Sequence, residues 1–529
     1  MGAACRSSVP ANGRARPAMD SREVELKLRI RPEDIALLHD APLLGRAKPT
    51  TRHLETVYFD TADLSLRKQA VTLRVRKQGS SFVQTVKAVP AEAGAVLARG
   101  EWENKLKRAQ PDLASVRRGE GRNRLRGIVQ DDLKPVFASH IRRTTRLLRN
   151  ARTQVQIEVA LDQGEIRTED GAVLPISELE LELKHGHDTG PLYDLALALN
   201  DVAPVRVEPR SKAQRGYALV EGTGPSWRKA GRLDLPADAS VEQALERVVR
   251  HCLDHLLANE ACALAGDGVE GIHQMRVALR RLRSALDIFA DDIDSRGVAL
   301  LADEIKWLAG ACGPARDWDV FIGSLLKPVL HATKRTPSLR ALSQAAKAAR
   351  VSAHEEARRA IESPRYTALL LRLGQWLDGR GWRGETPGEA LDAPIAGAAP
   401  RLLAKRHHQA CQRGENFAEL STGKRHRARI ALKKLRYAAD FFRSLYDAKP
   451  VRHYLGLLGH LQDGLGHLND VATAQRLIGE IEARTGRDPR AWLEGAGMVA
   501  GWHVRAVADQ EPALVASWHK FENAKPFWI

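Results

Sequence analysis

Glu23-Val24-Glu25-Leu26-Lys27-Leu28-Arg29-Ile30 alternates charged and apolar residues without a break near the start of the chain. In a strand, alternate side chains share a face. Glu23, Glu25, Lys27 and Arg29 therefore point one way, and Val24, Leu26, Leu28 and Ile30 the other. A single run of this kind reads as a half-buried strand with its polar face in water. Two further rows change that reading, one basic (Leu73-Arg74-Val75-Arg76-Lys77) and one acidic (Glu178-Leu179-Glu180-Leu181-Glu182). Several strands charged on one face and apolar on the other predict a closed barrel whose interior is the charged side. A lumen that mixes carboxylates with cations suits a metal ion bound to a polyanion.

The whole chain supports an anionic partner. It has 529 residues, room for two to four domains, and carries a formal net charge of +17 with a pI near 9.8. Such a charge points to nucleic acid, anionic lipid or polyphosphate. Aromatic residues make up only 5% and no RNA-binding aromatic motif stands out, which sets nucleic acid below polyphosphate. With 43% hydrophobic and 28% charged residues the chain reads as globular, and no run of about 20 apolar residues marks a membrane span or a membrane partner. The five cysteines include no Cys-x-x-Cys pair, as expected of a reducing cytoplasm. Residues 1–20 lack the apolar centre of a signal peptide and read as a disordered tail, with Met19 an alternative start.

Taken in order, the first half reads as strands broken by short helices. A helix start follows Arg31-Pro32, and Thr51 to Asp60 alternates again. Val71–Lys77 and Phe82–Val89 form a hairpin that sets Gln84 or Lys87 beside Arg74 and Arg76, depending on register. Residues 135–148 read as a strand pair. Residues 155–161 lead into a turn at Asp162-Gln163-Gly164, and Val205 to Ser211 forms a last strand reaching Lys212.

These blocks carry a resemblance. Glu-x-Glu-x-Lys, Tyr58-Phe59-Asp60-Thr61, Leu73-Arg74-Val75-Arg76, Glu101-Trp102-Glu103, Glu178-Leu179-Glu180-Leu181 and the closing Ser211-Lys212-Ala213 with Arg215-Gly216-Tyr217 resemble the CYTH family of triphosphate tunnel metalloenzymes, in order over residues 21–220. The resemblance implies an eight-stranded antiparallel β-barrel tunnel. It assigns phosphate binding to Lys27, Arg74, Arg76, Lys87, Arg143 and Lys212, since Arg offers paired donors to phosphate and Lys a point charge. Glu23, Glu25, Glu180 and Glu182 are the implied ligands of Mg²⁺ or Mn²⁺. Glu25 and Lys27 also count among the implied catalytic residues, with Glu101, Glu103 and Asp162 as water-positioning candidates. Register leaves two points open: Glu178 shares the face of Glu180 and Glu182, and Arg142 competes with Arg143. Tyr58, Phe59 and Trp102 read as core.

Residues 221–240 are Gly/Pro-rich and polar and read as a linker. Beyond them the pattern is helical to the end, with an internal repeat. His273-Gln274-Met275-Arg276-Val277-Ala278-Leu279-Arg280-Arg281-Leu282-Arg283 recurs as His426-Arg427-Ala428-Arg429-Ile430-Ala431-Leu432-Lys433-Lys434-Leu435-Arg436, offset by 153 (426 − 273). Each copy has an apolar stripe for a bundle and a dense basic face. A like-charge stripe costs a helix stability, and its duplication points to anion binding rather than solubility. Arg316-Asp317-Trp318-Asp319-Val320 is echoed by Leu468-Asn469-Asp470-Val471, and these acids read as orienting nearby cations. The two elements resemble the CHAD domain over residues 241–529. That resemblance implies an all-α double four-helix bundle, duplicated over about 241–378 and 400–529. The implied polyphosphate-binding residues are His273, Arg276, Arg280, Arg281, Arg283, His426, Arg429, Lys433, Lys434 and Arg436.

The expected class is α+β, and the two resemblances together imply a cytoplasmic, metal-dependent hydrolase of inorganic triphosphate, with a polyphosphate-binding domain and association with polyphosphate granules. The alternatives are a tunnel acting on thiamine triphosphate, on a nucleoside triphosphate or as an ATP cyclase, or a polyphosphate-binding protein with little catalysis.

Overall fold

The computed structural model describes residues 24–45, 47–88, 96–97, 100–116, 119–149, 154–265, 268–333, 336–383, 388–485 and 490–529. The expected tail at 1–20, and Glu23, lie outside them. The N-terminal half is an antiparallel sheet of β1 Glu25–Ile30, β2 Thr50–Asp60, β3 Val71–Gln78, β4 Ser81–Ala88, β5 Val96–Leu97, β6 Gly100–Leu106, β7 Lys134–Arg149, β8 Gln156–Thr168, β9 Val173–His185 and β10 Val205–Val207. Neighbours run β10-β1-β9-β8-β7-β2-β3-β4-β6, and β5 pairs with β1. The class is α+β as expected, but the described residues do not trace a closed ring of eight strands. The ladder of described residues counts ten: β10 adds outside β1, and β5 pairs with β1 while β6 pairs with β4.

Three local expectations are corrected. Residues 134–149 form one long strand, not a pair, because β2 and β8 continue on either side of it. Asp162-Gln163-Gly164 lies within β8, not in a turn. Gly164 is required there by close approach, since a Cβ would sit 1.9 Å from the His140 carbonyl oxygen across the ladder, at φ +157°. The last strand ends at Val207, and Lys212 opens a helix, Lys212–Val220, whose cap is reciprocal: Ser211 Oγ accepts from Gln214 N and the Gln214 side chain from Ser211 N.

The apolar residues of the alternating strands turn outward and are covered. Leu26, Leu28, Val159, Leu161, Leu179 and Leu181 belong to one core with Leu192, Tyr193, Ala196 and Leu199 of the Gly190–Val202 helix. Phe59, Leu73, Val75 and Val86 pack with Leu66, Leu113 and Leu125 on the opposite side. Burial of such side chains is worth roughly 1.5–3 kcal/mol each, enough to hold the charged rows facing inward.

The C-terminal half is helical. Its first part is built on Val241–Leu264, Val269–Ile288, Ser295–Ala311, Gly313–Val320, Pro337–Glu362 and Pro364–Asp378, and its second on Ile395–Gly414, Thr422–Phe442, Ala448–Thr485 and Arg490–Glu522. The parts are not separate: at Gly495 the last helix lies so close to Ser338 and Leu339 that a Cβ would meet their backbone at 2.9 Å. The segment between the halves is strapped down. Asn259 accepts from Arg228 N (2.8 Å) and donates to Arg228 O (2.9 Å), Leu235 N donates to Ser444 Oγ (2.9 Å), and Leu235 and Ala239 are buried. No helix among the described residues is long and apolar enough to cross a membrane.

Candidate functional site

The inward rows enclose a cavity of about 950 Å³. Its wall includes every described tunnel residue singled out from sequence: Glu25, Lys27, Arg74, Arg76, Lys87, Glu101, Glu103, Arg143, Asp162, Glu180, Glu182 and Lys212. The open registers resolve. Arg143 lines the cavity while Arg142 is exposed outside. Lys87 lines it, opposite Thr72 and Glu101, while Gln84 is buried and donates to the Asp112 carbonyl (3.1 Å). Glu178 lies deeper, fully buried and paired with Lys212 and Arg215. Sequence reasoning missed Glu158 and Lys184, which share the two-residue spacing of Asp162 and Glu182, and also Thr56, Ser139 and Tyr58. Tyr58 both lines the cavity and stacks on Phe137, with ring centroids 4.5 Å apart.

Two charge environments share this wall. In the first, Arg143 donates two bonds to Asp162 (2.6 and 2.5 Å) and one to Glu180, and Lys212 reaches Asp162 (2.7 Å), Glu180 (2.9 Å) and Glu178. Burial alone would raise the Glu180 carboxyl, but Arg143, Lys212 and Lys27 hold it well below the usual carboxylate range. Burial would likewise lower Arg143 and Lys212, and the same acids raise both instead. This cluster is a clamp.

The second environment holds Arg74 and Arg76. Arg74 bonds Glu101 (3.3 Å), which also pairs with Lys87 (2.8 Å), and Arg76 donates to Thr56 Oγ1 (3.3 Å). The neighbouring Arg74, together with burial, pushes the Arg76 guanidinium down to about 10. Burial would lower Arg74 too, but Tyr58 and Glu101 hold it above its usual value, so the repulsion falls on Arg76.

Metal-ligand candidates fall in two places. Asp162, Glu178 and Glu180 offer oxygens within 4.8 Å of one another, a spacing one ion can span, but all three already serve the clamp. The other place is a row: Glu25 is the register partner of Glu182, and Glu182 of Glu158. Like charges directly opposite destabilise a sheet unless a cation intervenes. Here Lys27 contacts Glu25, and Lys184 reaches Glu182 (2.6 Å) and Glu158 (3.8 Å). Hard oxygen donors of this kind suit Mg²⁺ or Mn²⁺, and in both places the acids are held by cations in this structure.

In the helical half the two basic copies converge on one groove. Lys433 is pushed down to about 7 by burial and by Arg429, Arg280 and Arg276, against the pull of Asp470. Arg280 Nε lies 3.3 Å from Tyr437 Oη, and Arg276 donates to the Ala309 carbonyl (2.8 Å). His273 is lowered to about 4 by burial and by Arg316. His426 bonds Asn469 (2.9 Å), and Arg283 and Arg436 are exposed on their helices. Arg281 is not brought to the groove: it is buried on Asp440 and over the Phe441 ring, because its helix turns it toward the bundle. Lys434 pairs with Asp287 (3.0 Å). Of the repeated acids, Asp470 faces the basic groove, while Asp319 is held by Arg350 (2.6 Å) and His354 (3.0 Å).

Both halves match known families. The family model of the CYTH domain matches residues 21–217, and that of the CHAD domain residues 247–479. Over 200 residues, 37% of the chain, the sequence is 31% identical to the inorganic triphosphatase of Haemophilus influenzae, and the chain spans only 55% of that relative. An uncharacterized protein of Mycobacterium tuberculosis is 26% identical over 463 residues, 81% of this chain and 84% of its own. The crystal structure of the CHAD domain from the plant Ricinus communis is 32% identical and matches with a TM-score of 0.50, covering 56% of this chain and 97% of that one. With its basic groove in the helical half and its charged cavity ahead of it, the chain belongs to the CHAD family and carries a CYTH domain N-terminal to the CHAD domain.

Proposed function

We propose that the cavity hydrolyses inorganic triphosphate to pyrophosphate and phosphate with a divalent cation, and that the basic groove holds inorganic polyphosphate. The observation that carries the reading is the Arg74–Arg76 pair, in which Arg74 and burial lower the Arg76 guanidinium, on a cavity wall that also bears Lys27 and Lys87. The relative named inorganic triphosphatase supports it over the tunnel half. In this reading β5 and β6 act as one strand that closes an eight-stranded tunnel. The tunnel domain spans 21–220, the strap 221–240, and the duplicated helical domain 241–529. The setting is cytoplasmic, with association with polyphosphate granules.

Lys27, Arg74, Arg76 and Lys87 neutralise phosphate oxygens, and the clamped Arg143 and Lys212 present donors at fixed positions. Glu25 and Glu182, with Glu158 in their row and Glu23 by its spacing, would hold Mg²⁺ or Mn²⁺. A cation there supplies further charge neutralisation and lowers the pKa of water. Asp162 orients Arg143. Glu101 and Glu103 stand on the wall to position the attacking water and take its proton. The water oxygen bonds to the terminal phosphorus as the bond to the bridging oxygen breaks, and that oxygen leaves with its charge on pyrophosphate. Tyr58 and His187 are the ring-bearing residues among the described lining residues, which favours a compact polyanion over a nucleotide.

The test is phosphate release from tripolyphosphate, ATP and thiamine triphosphate with Mg²⁺ or Mn²⁺, in wild type and Glu25→Gln. Metal-dependent turnover of tripolyphosphate, lost in Glu25→Gln, supports the reading. No turnover of any of the three alongside tight polyphosphate binding overturns it and leaves a binding protein.

A further inference from the structure

β10 is only three residues long, yet two of the cavity lysines, Lys27 and Lys212, lie beside it in the ladder and in the chain. It pairs with β1 at Leu28–Val207, Arg29–Arg206 and Ile30–Val205. Just beyond it, Glu208 N donates to the Lys27 carbonyl (2.9 Å), while the Glu208 carboxylate, 2% exposed, binds Arg29 (3.2 Å) and Arg210 (3.1 Å). Lys212 follows four residues later, already on Asp162 and Glu180. Three ladder pairs alone hold a strand weakly.

What holds β10 from behind comes from the helical half. Arg206 pairs with Glu260, which also accepts from Tyr366 Oη (2.9 Å). Thr367 Oγ1 donates to the Val205 carbonyl (2.6 Å), and Asn200 donates to the Pro364 carbonyl (3.0 Å). Alongside, Tyr193 Oη donates to Asp378 (2.5 Å), and Gly374 lets the two helices meet: a Cβ there would lie 2.7 Å from the Tyr193 ring. Glu260, Tyr366 and Thr367 are buried, so these bonds form in a medium where they are strong.

We propose that Glu260, Tyr366 and Thr367 of the helical domain are positioning residues for the tunnel, clasping β10 so that Lys27 and Lys212 stand at fixed places on the cavity wall. The kinetic part of this inference rests on the triphosphatase reading; the structural part does not. None of the three touches substrate. They act through backbone placement, where a shift of about 1 Å costs up to roughly a hundredfold in rate.

The experiment uses the full chain as Glu260→Ala, Glu260→Gln and Thr367→Val. It measures kcat and KM for tripolyphosphate, and amide hydrogen exchange over residues 24–30 and 205–212. Glu260→Ala and Thr367→Val are expected to lower kcat about tenfold or more and to speed exchange in both segments, while Glu260→Gln, which keeps an acceptor for Tyr366 and Arg206, recovers most of the rate. Wild-type kcat, KM and exchange in Thr367→Val and Glu260→Gln, with Glu260→Ala either unchanged or globally unfolded, would overturn the proposal. A wild type without turnover refutes the triphosphatase reading instead, and the exchange rates then decide this inference alone.

Discussion

Arg281 in the first helical copy is paired with Asp440 in the second, and the residues one repeat away, Lys434 and Asp287, form the same pair in the opposite direction. Phe289 and Phe442, equivalent in the same register, meet edge to face at 6.0 Å. Equivalent residues touching reciprocally are the mark of a two-fold interface, here within one chain. The two copies differ in burial, however. Arg281 is 5% exposed, whereas Lys434 and Asp287 are each more than a third exposed. Arg281→Ala is therefore expected to cost about 1.5–3 kcal/mol by removing a buried guanidinium's charge-assisted bond, with Asp440 left partly exposed beside Arg443, and Lys434→Ala less than about 1 kcal/mol. Urea midpoints of the two variants check this.

Arg76 is expected to trade stability for binding. Removing it relieves repulsion with Arg74, so Arg76→Ala keeps or raises the melting temperature. The same change is expected to lower kcat/KM for tripolyphosphate roughly a hundredfold or more, since it removes a charge-assisted donor to phosphate. A variant that loses stability and keeps activity would show that Arg76 is structural.

Lys433 sets a pH dependence in the groove. Its folded pKa of about 7 lies below the ordinary lysine value near 10.4, so the unfolded chain binds more protons between those limits. Stability from this residue accordingly rises with pH from about 7 to 10 and is flat below 7. Polyanion binding runs the other way, because phosphate favours the charged amine. Titration calorimetry with long-chain polyphosphate in two buffers at pH 8.5 is expected to show proton uptake, abolished in Lys433→Met.

Gly164→Ala is expected to damage fold and site together. The added Cβ would strike the His140 carbonyl oxygen, and Arg143 and Asp162, ladder partners on the same two strands, stand close to that point. A loss of roughly 3 kcal/mol or more, read from a thermal melt, would accompany the fall in activity.

The cavity wall was legible because charge marks the inside of this sheet. At Glu25, Lys27, Arg74, Arg76, Glu180 and Glu182, two-residue spacing alone separates wall from core. Glu158 obeys the same spacing but is the one charge in residues 155–161, so no charged row marks it, and a glycine in the middle of β8 looks like a turn. A glycine demanded by a carbonyl across the ladder leaves the same trace as one demanded by a bend. Val205 to Ser211 reads as a strand reaching Lys212, although Ser211 and Gln214 spell a helix cap. Contacts between the halves were illegible for a different reason. Glu260, Tyr366 and Thr367 sit in ordinary amphipathic helices, and nothing local says that their polar atoms will meet a strand. Charge alone puts Arg281 on the basic face, while its helical phase, one residue on from Arg280, points it inward.

The strap between the halves gives the protein a property of its own. Because Asn259 grips both polar groups of the Arg228 backbone, residues 221–240 do not work as a tether with a spread of lengths. A floating domain would let the local supply of polymer decline smoothly as the linker swings. Here cavity and groove stand at one set separation, and a ligand held at both would have to span it. On the proposed function, that separation sets the shortest polyphosphate able to reach both.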